Sequence, residues 1–385
     1  MNEFAHAHLD EVYPLLPFEP VSGRGVFLED AAGRRVLDFY GGHAVAALGY
    51  GHAAVADAIA RQARELSFQS NAVRVRVRDE AADGLASLAP PGLARVFFVN
   101  SGAEANENAL KLALAATGRT KVVAVEHSFH GRTAAAGAAT WGARQSWYGF
   151  PRTPFDVVFV PRNDRAALEA AVDSATAAFI AEPVQGLAGA FDLAAEFLAA
   201  AQAACRRTGA FFILDEVQTG MGRMGAPFGA QTLGLEPDLL TVAKGLGNGF
   251  PCGAVLMRHD LAKELKPGAL GTTFGGGPLA CAAIKAVVDA LRDEALLANV
   301  REMSALVRST CVVGPVEGVQ GAGLLLGLRT ERRAASIRDA LLERDILVGT
   351  SADPHVLRLL PPLIIEAEHV ARLAHALGEL THATV

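Results

Sequence analysis

The chain has 385 residues, of which 51% are apolar and 20% charged, with a formal net charge of -6. That composition supports a sizeable core and excludes a disordered chain, and the length suggests two domains or one large domain with a smaller companion. No long run of one charge sign is present, which argues against a nucleic-acid partner or an anionic membrane surface.

The opening stretch, MNEFAHAHLDEVYP, has no basic start and no apolar run, so it does not read as a signal peptide. His6 and His8 in it read as surface histidines rather than metal ligands. Residues 24–39 read as a hairpin around a polar turn containing Gly33. After about residue 50 the pattern becomes strand and helix in alternation. Short apolar runs at 95–99, 121–125, 156–160, 177–181, 210–214, 238–242 and 253–257 suit strands buried on both faces. Helical stretches such as 103–116 and 192–208 lie between them. This alternation predicts an α/β fold with a mostly parallel, doubly wound sheet, whose ligands bind beyond the carboxyl ends of the strands. From about 278 the pattern is helical to about 310. A strand at 324–328, a helix near 334–343, an apolar run at 355–360 and a final helix follow. The expected division is a large domain over 49–277 and a smaller α+β domain over 278–385, which the segment 1–48 joins.

The four cysteines, Cys205, Cys252, Cys281 and Cys311, form no CxxC pair and no zinc-spaced cluster, so no metal is expected and reduced thiols of a cytoplasmic protein are the simple reading. No apolar stretch is long enough for a membrane span.

Chemistry is sought where strands end. FFILDEVQTG (211–220) delivers Asp215 at the end of a buried strand. A carboxylate there could face a cationic ring nitrogen, a hydrogen bond contributing about 1.5–3 kcal/mol, although a lone strand-end aspartate more often caps a turn. TVAKGLGNGFP (241–251) brings Lys244 out of a second apolar strand, where desolvation lowers an amine's pKa and makes it a nucleophile and base. Taken alone it reads more readily as an ordinary exposed loop lysine. In VNSGAEANENALKLA, Ser101 is a good N-cap with Glu104 completing a capping box, and the helix start at Ser101, Gly102 and Ala103 suits a phosphate. In GTTFGGGPLA, Thr272 or Thr273 offers a second phosphate contact, or the segment is a plain glycine-rich turn.

Together these segments are more informative than apart. NSGAEANENALKLA, FHGRT, EPVQG, LDEVQTGMGR, AKGLGNGFP, TTFGGGPLA and RLLPPL occur in one order across residues 100–363, and LDFYGGHAVAALGYGH extends the pattern back to about 37. The chain resembles the class III (subgroup II) aminotransferases of fold type I, the group that includes acetylornithine, ornithine and 4-aminobutyrate aminotransferases. The resemblance implies pyridoxal 5'-phosphate as cofactor. It makes Lys244 the lysine that forms an imine with it and shuttles the proton, and Asp215 the partner of its pyridine nitrogen. Val217 would pack on the ring, Gln218 would reach the phenolic oxygen and Phe129 would stack. Ser101, Gly102 and Ala103 would hold the phosphate, joined by Thr273 across the interface of a homodimer. Arg132 and Arg358 would bind substrate carboxylates. The implied partners are an amino donor and a 2-oxo acid acceptor, 2-oxoglutarate first.

Three positions depart from the family pattern. Leu187 stands where glutamate-using members carry a glutamate that pairs with the second arginine. An unpaired buried arginine costs on the order of 3–5 kcal/mol, so Arg358 is expected to need a substrate carboxylate, another acid, or room to swing out. His43, at the substrate entrance, either touches substrate or fills the pocket wall. Gly277 replaces the usual asparagine. Within the same chemistry an aminomutase or a 4-aminobutyrate or diamine transaminase is the closest alternative. A nicotinamide-dependent oxidoreductase would need the glycines at 220–225 to open a helix, and Pro227 interrupts that segment.

Overall fold

The computed structural model describes residues 8–10 and 12–380. His6 lies outside the described residues. At the centre is a seven-stranded sheet in the order Leu93–Val99, Gly253–Arg258, Leu239–Val242, Phe211–Asp215, Thr176–Ala181, Lys121–Val125, Asp156–Val160. Only Gly253–Arg258 runs against its neighbours. The remaining adjacent pairs are parallel. Both faces are covered, which is why the strands read as continuous apolar runs. Phe212 and Leu214 point into the core shared with Phe197 and Leu198 of the helix Ala195–Thr208. Ile213, between them, points into the core shared with Ala109 and Leu110 of the helix Gly102–Thr117.

The other strands make smaller sheets. Phe27–Asp30 and Arg35–Asp38 form the expected hairpin, with Gly33 at φ +81° in its turn. Pro20–Arg24 adds to one edge and Ile346–Leu347, from far along the chain, adds parallel to the other. A second four-stranded sheet runs Val316–Ala322, Leu325–Thr330, Val356–Leu359, Gly349–Thr350, all antiparallel. Several expected boundaries move. The helix expected from 192 starts at Ala195, because Phe191–Asp192 pairs instead with Val184–Gln185. The helical stretch 278–310 is two helices, Pro278–Leu291 and Glu294–Thr310, the second capped by Asp293. Val316–Ala322 was not expected at all, since its glycines hide the alternation. The glycines at 220–225 do not open a helix; the next one, Gly229–Leu233, has five residues and starts past Pro227. No helix among the described residues is long and apolar enough to cross a membrane.

Because six of the seven central strands run the same way, their carboxyl ends share one edge. The segment after Arg35–Asp38 reaches that edge through an unusual backbone. Gly41, Gly42, His43 and Ala44 all have positive φ, between 55° and 69°. Left-handed conformation costs non-glycine residues roughly 1–2 kcal/mol each, so the turn must be held from outside. Asp38, fully buried, does this: it accepts from the N–H of Tyr40 and Gly41 and from the Tyr50 hydroxyl. Asp38→Ala should orphan these donors and lower stability by about 3 kcal/mol, seen as a reduced thermal midpoint; an unchanged midpoint would mean that the turn is held by something else.

Candidate active site

Asp215 ends its strand at 2% exposure. Its Oδ2 accepts from Asn106 Nδ2 and lies against His130 Nδ1, both at 2.7 Å, and its Oδ1 accepts from the Val217 N–H at 3.0 Å. Asn106 is fixed in turn: its Nδ2 also donates to the His130 carbonyl, and its Oδ1 accepts from Thr241 at 2.6 Å. Thr241 is the register partner of Asp215 in the adjacent strand. The neighbouring acid, Glu216, turns away and accepts from Gly229, Ala230 and Thr219. One strand end thus supplies a carboxylate to the cavity and another to the scaffold.

Lys244 follows the strand Leu239–Val242 and takes φ +46°. A lysine in left-handed conformation is strained, and such strain tends to gather at functional positions. Desolvation pushes its pKa down to about 8, and the charge of Arg358 pushes the same way, while Asp215 and Glu182 oppose the shift. Glu182 is buried and accepts from the N–H of Phe129 (2.9 Å) and Gly186 (3.3 Å). Its own pKa rises to about 7, first through burial and then through Asp215.

These groups share one cavity of about 420 Å³, lined also by Ser101, Gly102, Ala103, Phe129, Arg132, Val217 and Gln218. Ser101 caps the helix Gly102–Thr117 by accepting from the Glu104 N–H. The reciprocal arm of the expected capping box lands one residue early, on the N–H of Asn100. The first-turn N–H groups of Gly102 and Ala103 have no acceptor within the helix. Glycine is required at 102 because a Cβ there would sit 2.8 Å from Val217 Cγ1. At Gly186 a Cβ would sit 2.4 Å from Gln218 Oε1, so a side chain there would displace the end of that amide. That Gln218 oxygen and His130 Nε2 are buried without a hydrogen-bond partner. A cavity with a helix start whose first N–H groups have no helical acceptor, a carboxylate and an amine from adjacent strand ends, and a buried amide oxygen without a partner fits a small phosphorylated aromatic aldehyde.

Of the other expected residues, Arg132 lines this cavity, while Arg358, Leu187, His43 and Thr273 do not. Arg132 is exposed, its guanidinium carbon 4.7 Å from the Trp147 ring centre and 5.8 Å from that of Phe129. Arg358 is 3% exposed and donates to the carbonyls of Thr350 (2.6 Å) and Gly186 (3.4 Å). Among the described residues neither arginine has an ion-pair partner. Leu187 is half-buried, its carbonyl accepting from Ala352. His43 stands outside the cavity lining, 2.5 Å from the Tyr40 hydroxyl at Nδ1. Partial burial, then Arg358 and Lys244, hold its pKa at about 4, so the ring is neutral at physiological pH. Thr273 is exposed and outside this cavity, while Thr272 closes its own loop by accepting from the Gly275 N–H. Gly277, the glycine in the asparagine position, is the N-cap of the helix Pro278–Leu291 and offers no side-chain cap.

Sequence reasoning missed Asn106, His130 and Glu182. Each sits inside a quoted motif. Asn106 could have been found as a polar residue on an otherwise apolar helix face, between Ala105 and Ala109.

A family model described as aminotransferase class-III matches residues 10–381. The acetylornithine aminotransferase of Methanothermobacter thermautotrophicus is 39% identical, covering 98% of this chain and 97% of its own length. That of Streptomyces coelicolor is 45% identical, covering 91% and 87%. Among solved structures, the acetylornithine aminotransferase of Elizabethkingia anophelis superposes with a TM-score of 0.87 at 31% identity, covering 97% of this chain and 96% of its own. An ornithine aminotransferase of Toxoplasma gondii, with PLP at partial occupancy in its active site, gives 0.90 at 30% identity, covering 97% and 92%.

Only a neutral amine adds to an aldehyde. The rate at which Lys244 reacts with a small aromatic aldehyde should therefore climb as pH rises through about 8. Glu182→Gln removes a charge that favours the ammonium, so its midpoint should move lower. A midpoint near 10.5, the ordinary lysine value, would contradict this.

Proposed function

The chain belongs to the class-III aminotransferases, and on that premise we propose that it moves an amino group from an ornithine- or acetylornithine-like donor to 2-oxoglutarate, using pyridoxal 5'-phosphate. That it is a transaminase follows from the family; the donor, the acceptor and the residue roles are our reading. The observation that carries it is the arrival of Asp215 and Lys244, from the ends of two adjacent strands, at one cavity.

Bound pyridoxal phosphate supplies an aldehyde that accepts the amino group and a protonated ring that withdraws electrons from the reacting carbon. On this reading Asp215 holds the ring nitrogen's proton, while Asn106 and His130 hold Asp215. Gln218 answers the phenolic oxygen with its free amide. Val217 and Phe129 flank the ring, and the helix start at Ser101, Gly102 and Ala103 receives the phosphate. Lys244 serves as the base that moves a proton at the substrate carbon, for which a pKa of about 8 is well placed. Arg132 and Arg358 take substrate carboxylates. We assign Thr273 to the site of a second copy in a homodimer. Support comes from the loop's exposed apolar surface: Phe274 is 66% exposed and its ring lies 5.4 Å from that of Phe68, 41% exposed. The four buried free thiols suit a reducing, cytoplasmic setting.

Leu187 bears on the substrate. Among the described residues Arg358 has no ion-pair partner and rests on two carbonyls. A carboxylate next to the reacting carbon then gains a charged partner at no cost of displacing another acid.

An amino-donor panel with 2-oxoglutarate and pyruvate tests the proposal. Acetylornithine or ornithine should give turnover that depends on added 2-oxoglutarate, and Lys244→Ala should lower kcat by about 10⁴-fold. Leu187→Glu should raise the 2-oxoglutarate KM roughly tenfold, the equivalent of about 1.4 kcal/mol. Turnover without any oxo acid would indicate an aminomutase instead.

A further inference from the structure

Arg358 is a buried cation whose resting partners are all neutral. Besides the carbonyls of Thr350 and Gly186, its guanidinium carbon lies 5.8 Å from the centre of the Tyr40 ring. Glu182, an acid whose charge it feels, is already committed to the N–H groups of Phe129 and Gly186.

The Tyr40 ring occupies a shaped slot. Gly349 is the register partner of Arg358 across the sheet, and a Cβ on Gly349 would come within 2.3 Å of Tyr40 Cε2. The missing side chain leaves the ring its place beside the arginine. Tyr40 is also held from its own side. Its N–H donates to Asp38 at 2.6 Å, and its hydroxyl meets His43.

Resting on the reading of Arg358 as a carboxylate binder, we propose that Tyr40 is a positioning residue for specificity: its ring gives Arg358 a neutral rest, in place of an acid, and keeps the guanidinium free for a substrate carboxylate beside the reacting carbon. An aromatic face attracts a cation without neutralising it, so nothing charged has to be displaced when a carboxylate arrives. The guanidinium is tied to the cavity of Lys244 through Gly186, whose carbonyl accepts from Arg358 and whose N–H donates to Glu182 in the cavity lining. Substrates lacking that carboxylate leave the buried guanidinium unpaired and are disfavoured. Without the ring, Arg358 is free to turn toward Glu182, which then competes with substrate.

The test uses the cofactor-loaded enzyme with 2-oxoglutarate and succinate semialdehyde as acceptors, which differ by this carboxylate. Tyr40→Leu should raise the 2-oxoglutarate KM about tenfold with little change in kcat, the scale of a lost, partly desolvated cation–π contact. It should leave the semialdehyde KM unchanged or lower, so discrimination falls. Tyr40→Phe keeps the ring and should discriminate as the parent does, which separates this role from a general loss of packing. Arg358→Ala gives the baseline: if it does not change discrimination, the carboxylate-binding reading fails. If it abolishes discrimination while Tyr40→Leu leaves it intact, the reading of Arg358 stands and the role of Tyr40 is overturned.

Discussion

A carboxylate at 2% exposure must find donors for its oxygens, and everything around Asp215 is arranged to supply them. The strand Phe211–Asp215 brings it in, the helix Gly102–Thr117 brings Asn106, the loop after Lys121–Val125 brings His130, and the adjacent strand braces Asn106 through Thr241. Four elements are therefore locked to one oxygen-rich point. The same helix that carries Asn106 opens with the phosphate-suited turn at Ser101, so the distance between the two ends of the proposed cofactor site is set by a single rigid element.

Charge around Lys244 in the same cavity is balanced rather than neutralised. Lys244 is desolvated and pushed down further by Arg358, yet pulled up by Asp215 and Glu182. Glu182 is lifted by burial and lowered by His130 and Lys244. An amine and a carboxyl that change protonation near neutrality, in one cavity, suit a reaction in which a proton is taken from the substrate carbon and delivered to another position. The fold contributes the geometry by ending its parallel strands on one edge. The N-terminal turn at 41–44, held by Asp38, brings Tyr40 and His43 to that edge at a cost in backbone strain.

Much of this could be read from residues alone. The α/β fold and the buried parallel strands were legible because continuous apolar runs are local signals, while fold type I and the aminotransferase family came from the resemblance that the quoted motifs carry. Asp215 and Lys244 each end such a run, but alone each read more readily as an ordinary residue, and only the combination of motifs singled them out. What stayed hidden was long-range. Asn106 and His130 matter through a contact with Asp215, across sequence separations of 109 and 85 residues. Ile346–Leu347 pairs with a strand some three hundred residues earlier, and no periodicity announces that. Val316–Ala322 was missed because glycines interrupt its alternation. The pairing of Leu187 with a carboxylate-free Arg358 was visible as a problem, but its answer, two carbonyls and the Tyr40 ring, depended on a slot made by Gly349.

The central claim is that Lys244 meets the cofactor in the cavity that it shares with Asp215. Borohydride reduction of the protein loaded with pyridoxal phosphate, followed by peptide mass mapping, tests it most directly. The account requires the phosphopyridoxyl mass on the peptide containing Lys244. Finding it on another lysine, or on none, would contradict the account.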